Sequence, residues 1–301
     1  MEKNVKAKAN KVLIVGASGF LGRALMRLPD VGLERVPTVR HAIPDLRGSL
    51  RLDLTNSEEV MAVVGRSKPA WVVNAAAETS VDRCEADPSR TRRVHVDGTT
   101  NLVRACEEAG AGLITISTNY VFDGEAGPYD EGDETNPLNV YGQTKLEAES
   151  VVLQASCQGV VVRAAVLYGY HQGSRPNFVT WSYSSLRDGK PIRVVTDECT
   201  NPTHVDELAR FLLGLCHSDF AGTIHFAGLD YLSRYQMVER ICDVCRLDFS
   251  LVTPVVSAAL GQFARRPLQA GLRIDKLNTM FAPKLRSFED HLRDLSEKMQ
   301  S

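Results

Sequence analysis

A tyrosine and a lysine lie four residues apart in the stretch Tyr141-Gly-Gln-Thr-Lys145. On a helix this spacing places both side chains on one face. A free phenol is a poor acid, with a pKa of about 10, but a neighbouring ammonium stabilises the phenolate and lowers that pKa. The pair therefore indicates a proton-transfer site for a carbonyl or alcohol, although the same spacing also occurs on ordinary amphipathic helices.

A hydroxyl precedes this pair at the end of an apolar segment. Residues 114–118 read ITIST, which predicts a strand over 113–117 followed by Thr118. A hydroxyl at that point can bind a reacting oxygen and hold developing charge. The alternative is a strand-end or helix-capping hydroxyl.

A glycine-rich turn follows the first apolar run of the chain. Residues 12–15 read VLIV and lead directly into GASGFLG, a G-x-x-G-x-x-G pattern. Such a turn before a helix lets a pyrophosphate approach the backbone and rest at the helix N-terminus. A glycine turn without a ligand is the alternative. The predicted cofactor contacts here are Gly16, Ser18, Gly19, Phe20, Leu21 and Gly22.

The end of the second predicted strand has no acidic residue. An NAD site places Asp or Glu there to bind the ribose hydroxyls, whereas this segment reads PTVRH. Arg40 can pair with a 2′-phosphate, and Arg23 follows the last glycine, so the pattern favours NADP and leaves NAD open. Asp53 and Leu54 are predicted at the adenine edge. Both arginines are equally compatible with solvated surface charges, and Asp53 with a strand-end turn.

The elements that would position these residues alternate between strand and helix. Strands are predicted over 11–16, 35–40, 50–54, 70–76, 113–117 and 159–167, and helices over 20–28, 57–65, 88–109 and 141–155. This alternation predicts an α/β fold, a Rossmann doubly wound parallel sheet with a smaller C-terminal substrate-binding lobe. We expect the NADP-binding domain to comprise 10–168, with 204–226 returning to it. The substrate lobe would comprise 169–203 and 227–301.

Composition limits the classes of function. The net charge is −2, and no basic run is present, which argues against nucleic-acid binding. No apolar run is long enough to span a bilayer, and the N-terminus lacks a signal-peptide pattern. The seven scattered cysteines favour a cytoplasmic location over a disulfide framework. Cys242 and Cys245 form one C-x-x-C within a helical pattern over 235–247, which indicates packing rather than a metal site.

Several segments together carry a family resemblance. Besides the glycine turn, residues 73–79 read VNAAAET, 117–124 read STNYVFDG, 137–145 read PLNVYGQTK and 265–267 read RRP. Over nearly its whole length the chain resembles the extended short-chain dehydrogenase/reductase superfamily. Within it, the chain is similar to the dTDP-4-dehydrorhamnose reductase group, which includes the methionine adenosyltransferase beta subunit.

The resemblance implies roles for particular residues. It makes Thr118, Tyr141 and Lys145 a catalytic triad and assigns Ala75, Ala76 and Ala77 to the cofactor. Tyr141 and Lys145 are expected to contact the cofactor as well, the lysine through the nicotinamide ribose. Its substrate side comprises Thr79, Thr118, Asn119, Asn177 and Arg266. Two positions depart from the family pattern. Asn119 stands where rhamnose-forming reductases carry Asp, and His95 stands where an Asn supports a proton relay.

The leading hypothesis is an NADPH-dependent reductase of a nucleotide-linked 4-keto sugar, with Tyr141 as general acid. A 4,6-dehydratase is disfavoured because Asn119 and Tyr120, rather than an acidic pair, follow the threonine. The alternatives are a nucleotide-sugar 4-epimerase and an NADP-binding regulatory subunit with a protein partner. Members of the superfamily are often dimers, which leaves a homodimer open. No metal is implied.

Overall fold

The computed structural model describes residues 10–29, 32–41, 43, 45–173 and 175–300. The lysine-rich N-terminal segment 1–9 lies outside them. The strands, in chain order, are β1 Lys11–Val15, β2 Glu34–Val39, β3 Leu50–Arg51, β4 Trp71–Asn74, β5 Gly112–Thr118, β6 Gly159–Ala164, β7 Leu167–Tyr168, β8 Ile192–Val195, β9 Cys199–Thr200, β10 Thr203–His204, β11 Gly222–Phe226, β12 Leu232–Ser233 and β13 Val252–Val255.

Helices connect these strands. They are α1 Phe20–Arg27, α2 Ser57–Ser67, α3 Val81–Ala86, α4 Pro88–Arg92, α5 Gly98–Ala109, α6 Val140–Leu153, α7 Phe178–Arg187, α8 Val205–Leu215, α9 Arg234–Cys245, α10 Asp275–Met280 and α11 Phe288–Gln300. Among the described helices, none has both the length and the apolar character needed to cross a bilayer.

Seven parallel strands form the central sheet, in the order β11-β6-β5-β4-β1-β2-β3. The order along the chain reverses between β1 and β4. In open α/β sheets a ligand crevice forms at such a switch point, outside the carboxyl ends of the strands. The predicted doubly wound Rossmann fold is confirmed. The glycine turn after β1 and the alanines after β4 meet at that crevice.

Both faces of the sheet are buried, which explains why the inner strands are continuously apolar. Val12 and Ile14 of β1 pack in one core with residues of α1 and α8. Leu13 and Val15 point to the opposite face and pack with α2 and α5. Alternate side chains of one strand therefore contribute to two cores.

The helix predicted over 88–109 is interrupted. The structure divides it into α4, a π-helical turn at Arg93–Asp97 and α5. The extra residue in this turn lets His95 point inward, where it is buried. π-Helical turns within α-helices occur frequently at functional sites. Apolar periodicity alone could not reveal the interruption.

The strand predicted over 50–54 is shorter in the structure. β3 is the edge strand and pairs only at Leu50 and Arg51, opposite Thr38 and Val39. Beyond it, Asp53 accepts hydrogen bonds from the backbone and hydroxyl of Thr55 at 3.0 and 2.8 Å. This local turn ends the strand before Asp53.

Beyond β6 the chain forms small two-stranded pairings beside the main sheet. β8 pairs with β13, β9 with β12 and β7 with β10. Helices α7, α9 and α11 pack together over them. Cys242 and Cys245 lie on α9 as free thiols, and Cys242 is part of the apolar core, as the helical pattern predicts.

Candidate active site

A cavity of about 820 Å³ opens at the carboxyl ends of the central strands. Its wall includes most of the residues that the sequence assigns to cofactor, chemistry and substrate. Those residues are Ser18, Gly19, Phe20, Leu21, Ala75, Ala76, Ala77, Thr79, Thr118, Asn119, Tyr141, Lys145 and Asn177. The predicted residues outside its wall are Gly16, Gly22, Arg40, Asp53, Leu54 and Arg266.

Two glycines of the turn are required by close packing. Gly16 has φ +80°, and a Cβ on it would lie 2.9 Å from Ala76. A Cβ on Gly22 would lie 2.2 Å from the Gly16 carbonyl oxygen. The third glycine, Gly19, caps α1 without a side-chain hydrogen bond, and the first turn of α1 holds no acid. The turn therefore presents unshielded backbone N–H groups to the cavity, as a pyrophosphate requires.

The charged residues beyond the turn are paired with acids. Arg40, about half exposed, lies with its Nε 3.2 Å from Asp53 Oδ2. Burial alone would raise the pKa of Asp53, but the Thr55 hydrogen bonds and the Arg40 guanidinium together lower it. Arg23 lines the cavity and lies 3.3 Å from Asp45. Leu54 is buried in the core instead of facing the cavity.

Tyr141 and Lys145 lie on α6, and Thr118 is the last residue of β5. The amide side chain of Asn139 caps α6 by accepting from the Gly142 N–H at 2.9 Å. Helix and strand pack against each other, so all three side chains reach the same cavity. The structure thus brings together the three residues that the sequence spacing predicts.

The pKa of the Tyr141 phenol is raised in the structure, whereas the sequence predicts a lowered pKa. Burial raises its pKa to about 12, and the hydrogen bond with Thr118 opposes this only in part. The sequence suggested that the ammonium would dominate, but the Lys145 Nζ donates to the Ile116 carbonyl at 2.5 Å. Tyr141 therefore holds its proton at neutral pH.

Lys145 is buried beside the phenol. Burial lowers its pKa to about 8, while the carboxylate of Glu149 and the thiol of Cys84 act in the opposite direction. A lysine with this pKa changes its charge close to physiological pH. Perturbed groups of this kind occur preferentially in functional clefts.

His95 connects the cavity loop to the catalytic helix. Its Nδ1 lies 2.8 Å from Thr144 Oγ1, and its Nε2 lies 3.1 Å from the Glu78 amide nitrogen. Burial, the largest cause, and the nearby Lys145 ammonium lower the pKa of His95 to about 3, so the ring is neutral. Both ring nitrogens thus have partners other than Lys145, and the side chain joins the 78 loop to the catalytic helix.

Asn119 lines the cavity, and its side-chain amide also has partners within the protein. Its Nδ2 donates to the Ala270 carbonyl at 2.6 Å and approaches Thr200 Oγ1 at 3.3 Å. The side chain is buried and holds the 199–200 and 270 segments to the end of β5. An amide can donate there, whereas a carboxylate cannot.

We therefore expect Asn119→Asp to destabilise the fold by about 1–3 kcal/mol at pH 7.5, because a carboxylate would face the Ala270 carbonyl. The pKa of this buried acid would be raised, so the loss should shrink as the pH falls towards 5. Urea unfolding at both pH values measures it. Asn56→Asp is the matched control, since the Asn56 side chain only accepts, from the Glu59 N–H. An unchanged unfolding midpoint for Asn119→Asp at pH 7.5 would contradict this contact.

The other predicted substrate residues have structural partners of their own. Asn177 caps α7 and donates to the Gly169 carbonyl at 2.7 Å. Arg266 binds Asp82 through two contacts of 2.9 and 2.8 Å and lines an adjoining cavity of about 410 Å³. Thr79 lines both cavities. Asn177 and Thr79 therefore line the main cavity, and Arg266 lines the adjoining one.

Sequence reasoning missed several polar residues of the site. Glu198 and Arg234 line both cavities, and their backbones are joined by a 3.1 Å hydrogen bond from Arg234 N–H to the Glu198 carbonyl. Tyr120 packs edge-on against Tyr141 at 5.8 Å. Glu149 lies one helical turn after Lys145, a spacing that could have identified it.

Comparison with known proteins gives the family. The glycine turn, the strand order and the Thr118, Tyr141 and Lys145 set define the extended short-chain dehydrogenase/reductase type. Residues 10–301 match the family model described as the RmlD substrate binding domain. The chain belongs to this family, and the resemblance noted from the sequence is confirmed.

The relatives include both reductases and a subunit of methionine adenosyltransferase. The chain is 36% identical over 262 residues to a dTDP-4-dehydrorhamnose reductase of Streptomyces griseus, covering 85% of this chain and 83% of that protein. It is 32% identical over 291 residues to the methionine adenosyltransferase 2 subunit beta of Mus musculus, covering 93% and 85%. The crystal structure of a dTDP-4-dehydrorhamnose reductase from Bacillus anthracis in complex with NADP has a TM-score of 0.87 at 28% identity, covering 96% of this chain and 99% of that one.

Proposed function

We propose that this protein is an NADPH-dependent reductase of a nucleotide-linked 4-keto sugar. The observation that carries the proposal is the convergence of Thr118, Tyr141 and Lys145 on one cavity that also contains the glycine turn. The reductases among its relatives support the same activity. The cavity has the size of pockets that hold small-molecule cofactors and substrates.

The residues of the turn fit a dinucleotide. The close packing at Gly16 and Gly22 fixes the path of the turn, and the uncapped start of α1 leaves N–H donors for a diphosphate. Ala75, Ala76 and Ala77 would line the nicotinamide side, because small side chains after β4 leave that wall open. When bound, NADPH supplies the hydride.

The chain's own residues supply the proton and the orientation. Tyr141 keeps its proton at Oη at neutral pH and would deliver it to the carbonyl oxygen of the substrate. Thr118 would hold that oxygen through its hydroxyl. Lys145, fixed by the Ile116 carbonyl, would place positive charge beside the phenol as it loses its proton.

We propose that the 2′-phosphate of NADP binds near Arg40, at the exposed end of β2. Arg40→Ala should then weaken the binding of NADP about tenfold or more and the binding of NAD much less, because only NADP carries that phosphate. Fluorescence titration with both cofactors measures this difference. Arg51→Ala, an exposed arginine on neighbouring β3, serves as the control and should leave both affinities unchanged. Equal losses of NADP and NAD affinity in Arg40→Ala would contradict the assignment.

The substrate would enter from the C-terminal side. We propose that residues 10–168 and 204–226 form the cofactor domain and that 169–203 and 227–301 form the substrate lobe. Thr79, Asn119 and Asn177 would bound the sugar, and Arg266 would lie towards the nucleotide. The protein partners of Asn119 and Asn177 support a role for both in shaping the cavity wall, and the Asp82 partner of Arg266 holds it at the adjoining cavity.

A panel of nucleotide-linked 4-keto sugars, assayed by NADPH absorbance, tests the proposal. Substrate-dependent NADPH oxidation is the expected result. Interconversion of epimeric sugars without net NADPH consumption would indicate the epimerase alternative instead.

The regulatory-subunit alternative rests on the similarity to methionine adenosyltransferase 2 subunit beta. Tight NADP binding without turnover on the whole panel, together with a stable complex in a pull-down with a methionine adenosyltransferase catalytic subunit, would favour it over the reductase. Sedimentation of the purified chain would report whether it forms a homodimer. The seven free cysteines support a cytoplasmic location.

A further inference from the structure

A buried ion pair lies directly behind the catalytic helix. Arg163 on β6 binds Glu149 on α6 through Nε at 3.0 Å and Nη2 at 2.7 Å. The Ser117 hydroxyl donates to the same carboxylate at 2.5 Å. Both charged side chains are at least 94% buried. None of the chemistry assigned above uses Glu149 or Arg163.

The arrangement ties together the elements that hold the catalytic groups. Ser117 and Arg163 are register partners on β5 and β6, so their side chains reach the same face of the sheet. The side chain of Glu149 extends from α6, and its carboxylate lies between Ser117 and Arg163. Ser117 precedes Thr118, and Glu149 lies four residues after Lys145 on the helix. One carboxylate thus connects the strand of Thr118 to the helix of Tyr141 and Lys145.

A buried ion pair is weak evidence for a contribution to stability, because the desolvation of both charges offsets their attraction. Its position suggests another role. The titratable or charged groups around the ammonium of Lys145 come from several elements of the fold. They are Tyr141 and Glu149 on α6, Cys84 on α3, His95 in the π-helical turn and, behind Glu149, Arg163 on β6.

We propose that Glu149, held by Ser117 and Arg163, is a positioning residue that keeps Lys145 protonated and aligned in the active site. The carboxylate offsets part of the desolvation of the ammonium one helical turn away. This inference rests on the proposed function for its effect on turnover. Its effect on Lys145 itself can be measured without turnover.

The direct experiment measures the titration of Lys145 in the intact protein. The rate of acetylation of Lys145 by acetic anhydride is followed by mass spectrometry from pH 6 to 10. In the wild type the midpoint should lie near pH 8. In Glu149→Gln it should fall by about one pH unit, because the ammonium loses the carboxylate that lies one helical turn away. The pH above which kcat falls should decrease by the same amount.

Glu149→Gln leaves Arg163 buried and unpaired, so a second variant removes both charges. Glu149→Met with Arg163→Met replaces the pair by apolar side chains, which proteins often tolerate. This folded double variant should also show a lowered Lys145 midpoint. Glu207→Gln, a buried carboxylate on α8 that accepts from the Arg286 N–H at 3.0 Å, is the matched control and should leave the midpoint unchanged.

The outcomes separate the two proposals. A lowered midpoint in the double variant supports the role of Glu149, whether or not the wild type turns over. A wild-type midpoint in the folded double variant, or an equal shift in Glu207→Gln, overturns it. Absence of NADPH oxidation across the sugar panel, with the midpoint shift retained, would overturn the proposed function alone.

Discussion

Replacing Tyr141 by phenylalanine should lower kcat by about 10²- to 10⁴-fold. The phenol is the proton donor that lies beside Thr118 in the cavity, and its pKa of about 12 keeps it protonated throughout the working range. Phenylalanine keeps the ring and its edge-on contact with Tyr120 but removes the transferable proton. Steady-state NADPH oxidation with the best substrate of the panel measures the loss.

Cofactor binding provides the internal control for this variant. Most of the expected cofactor contacts lie on the glycine turn and not on the phenol, so the affinity for NADP should change by only about two- to threefold. Tyr183→Phe, a buried tyrosine on α7 outside the cavity wall, should retain wild-type kcat. If Tyr141→Phe kept more than a tenth of the wild-type rate, another group would have to donate the proton.

The sheet and its cofactor end could be predicted from local sequence. Apolar runs such as 12–15 and 160–162 are buried on both faces, and the glycine at 22 is required by contacts with residues 16 and 17 of the same turn. The chemistry of Tyr141 and Lys145 could be predicted as well, since their spacing on one helix already places them together. These features depend on interactions within a few residues or within one β-α unit.

The partners of polar side chains could not be predicted, because they come from distant segments. Asn119 donates to a carbonyl 151 residues away, and Arg266 binds an acid 184 residues away. The sequence shows that these residues are polar, but not whether a substrate or the protein satisfies them. Arg40 and Asp53 illustrate the same limit, because each was assigned to a cofactor and the two form an ion pair with each other.

The pKa of Tyr141 could not be predicted from the sequence either. The spacing to Lys145 predicts a lowered phenol pKa, but the outcome depends on how deeply each group is buried. In the structure the desolvation of Tyr141 outweighs the hydrogen bond from Thr118. Lys145 is itself desolvated and donates to a backbone carbonyl. The titration relevant to activity is therefore that of the lysine.

Activity should accordingly fall as the pH rises through about 8, with kcat/KM dropping about tenfold per pH unit up to pH 10. Below pH 8 Lys145 carries the charge that stabilises the developing phenolate, and above it that charge is lost. Tyr141 does not titrate in this window, and neither does His95, whose pKa is about 3. Lys276→Met is the control, because Lys276 donates to the Thr223 carbonyl. It should show the same fall in kcat/KM above pH 8 as the wild type.

A loss of activity caused by unfolding can be distinguished from the titration of Lys145, because stability and activity should change with pH in opposite directions. The pKa of Lys145 is lower in the folded chain than its ordinary value of 10.5, so between about pH 8 and 10.5 the unfolded chain binds more protons. The contribution of this group to the free energy of unfolding therefore rises with pH, while activity falls. In Lys145→Arg the guanidinium stays charged, so activity should no longer fall above pH 8, even if the overall rate is lower. A wild-type profile that stays flat to pH 10 would show that turnover does not need the ammonium of Lys145.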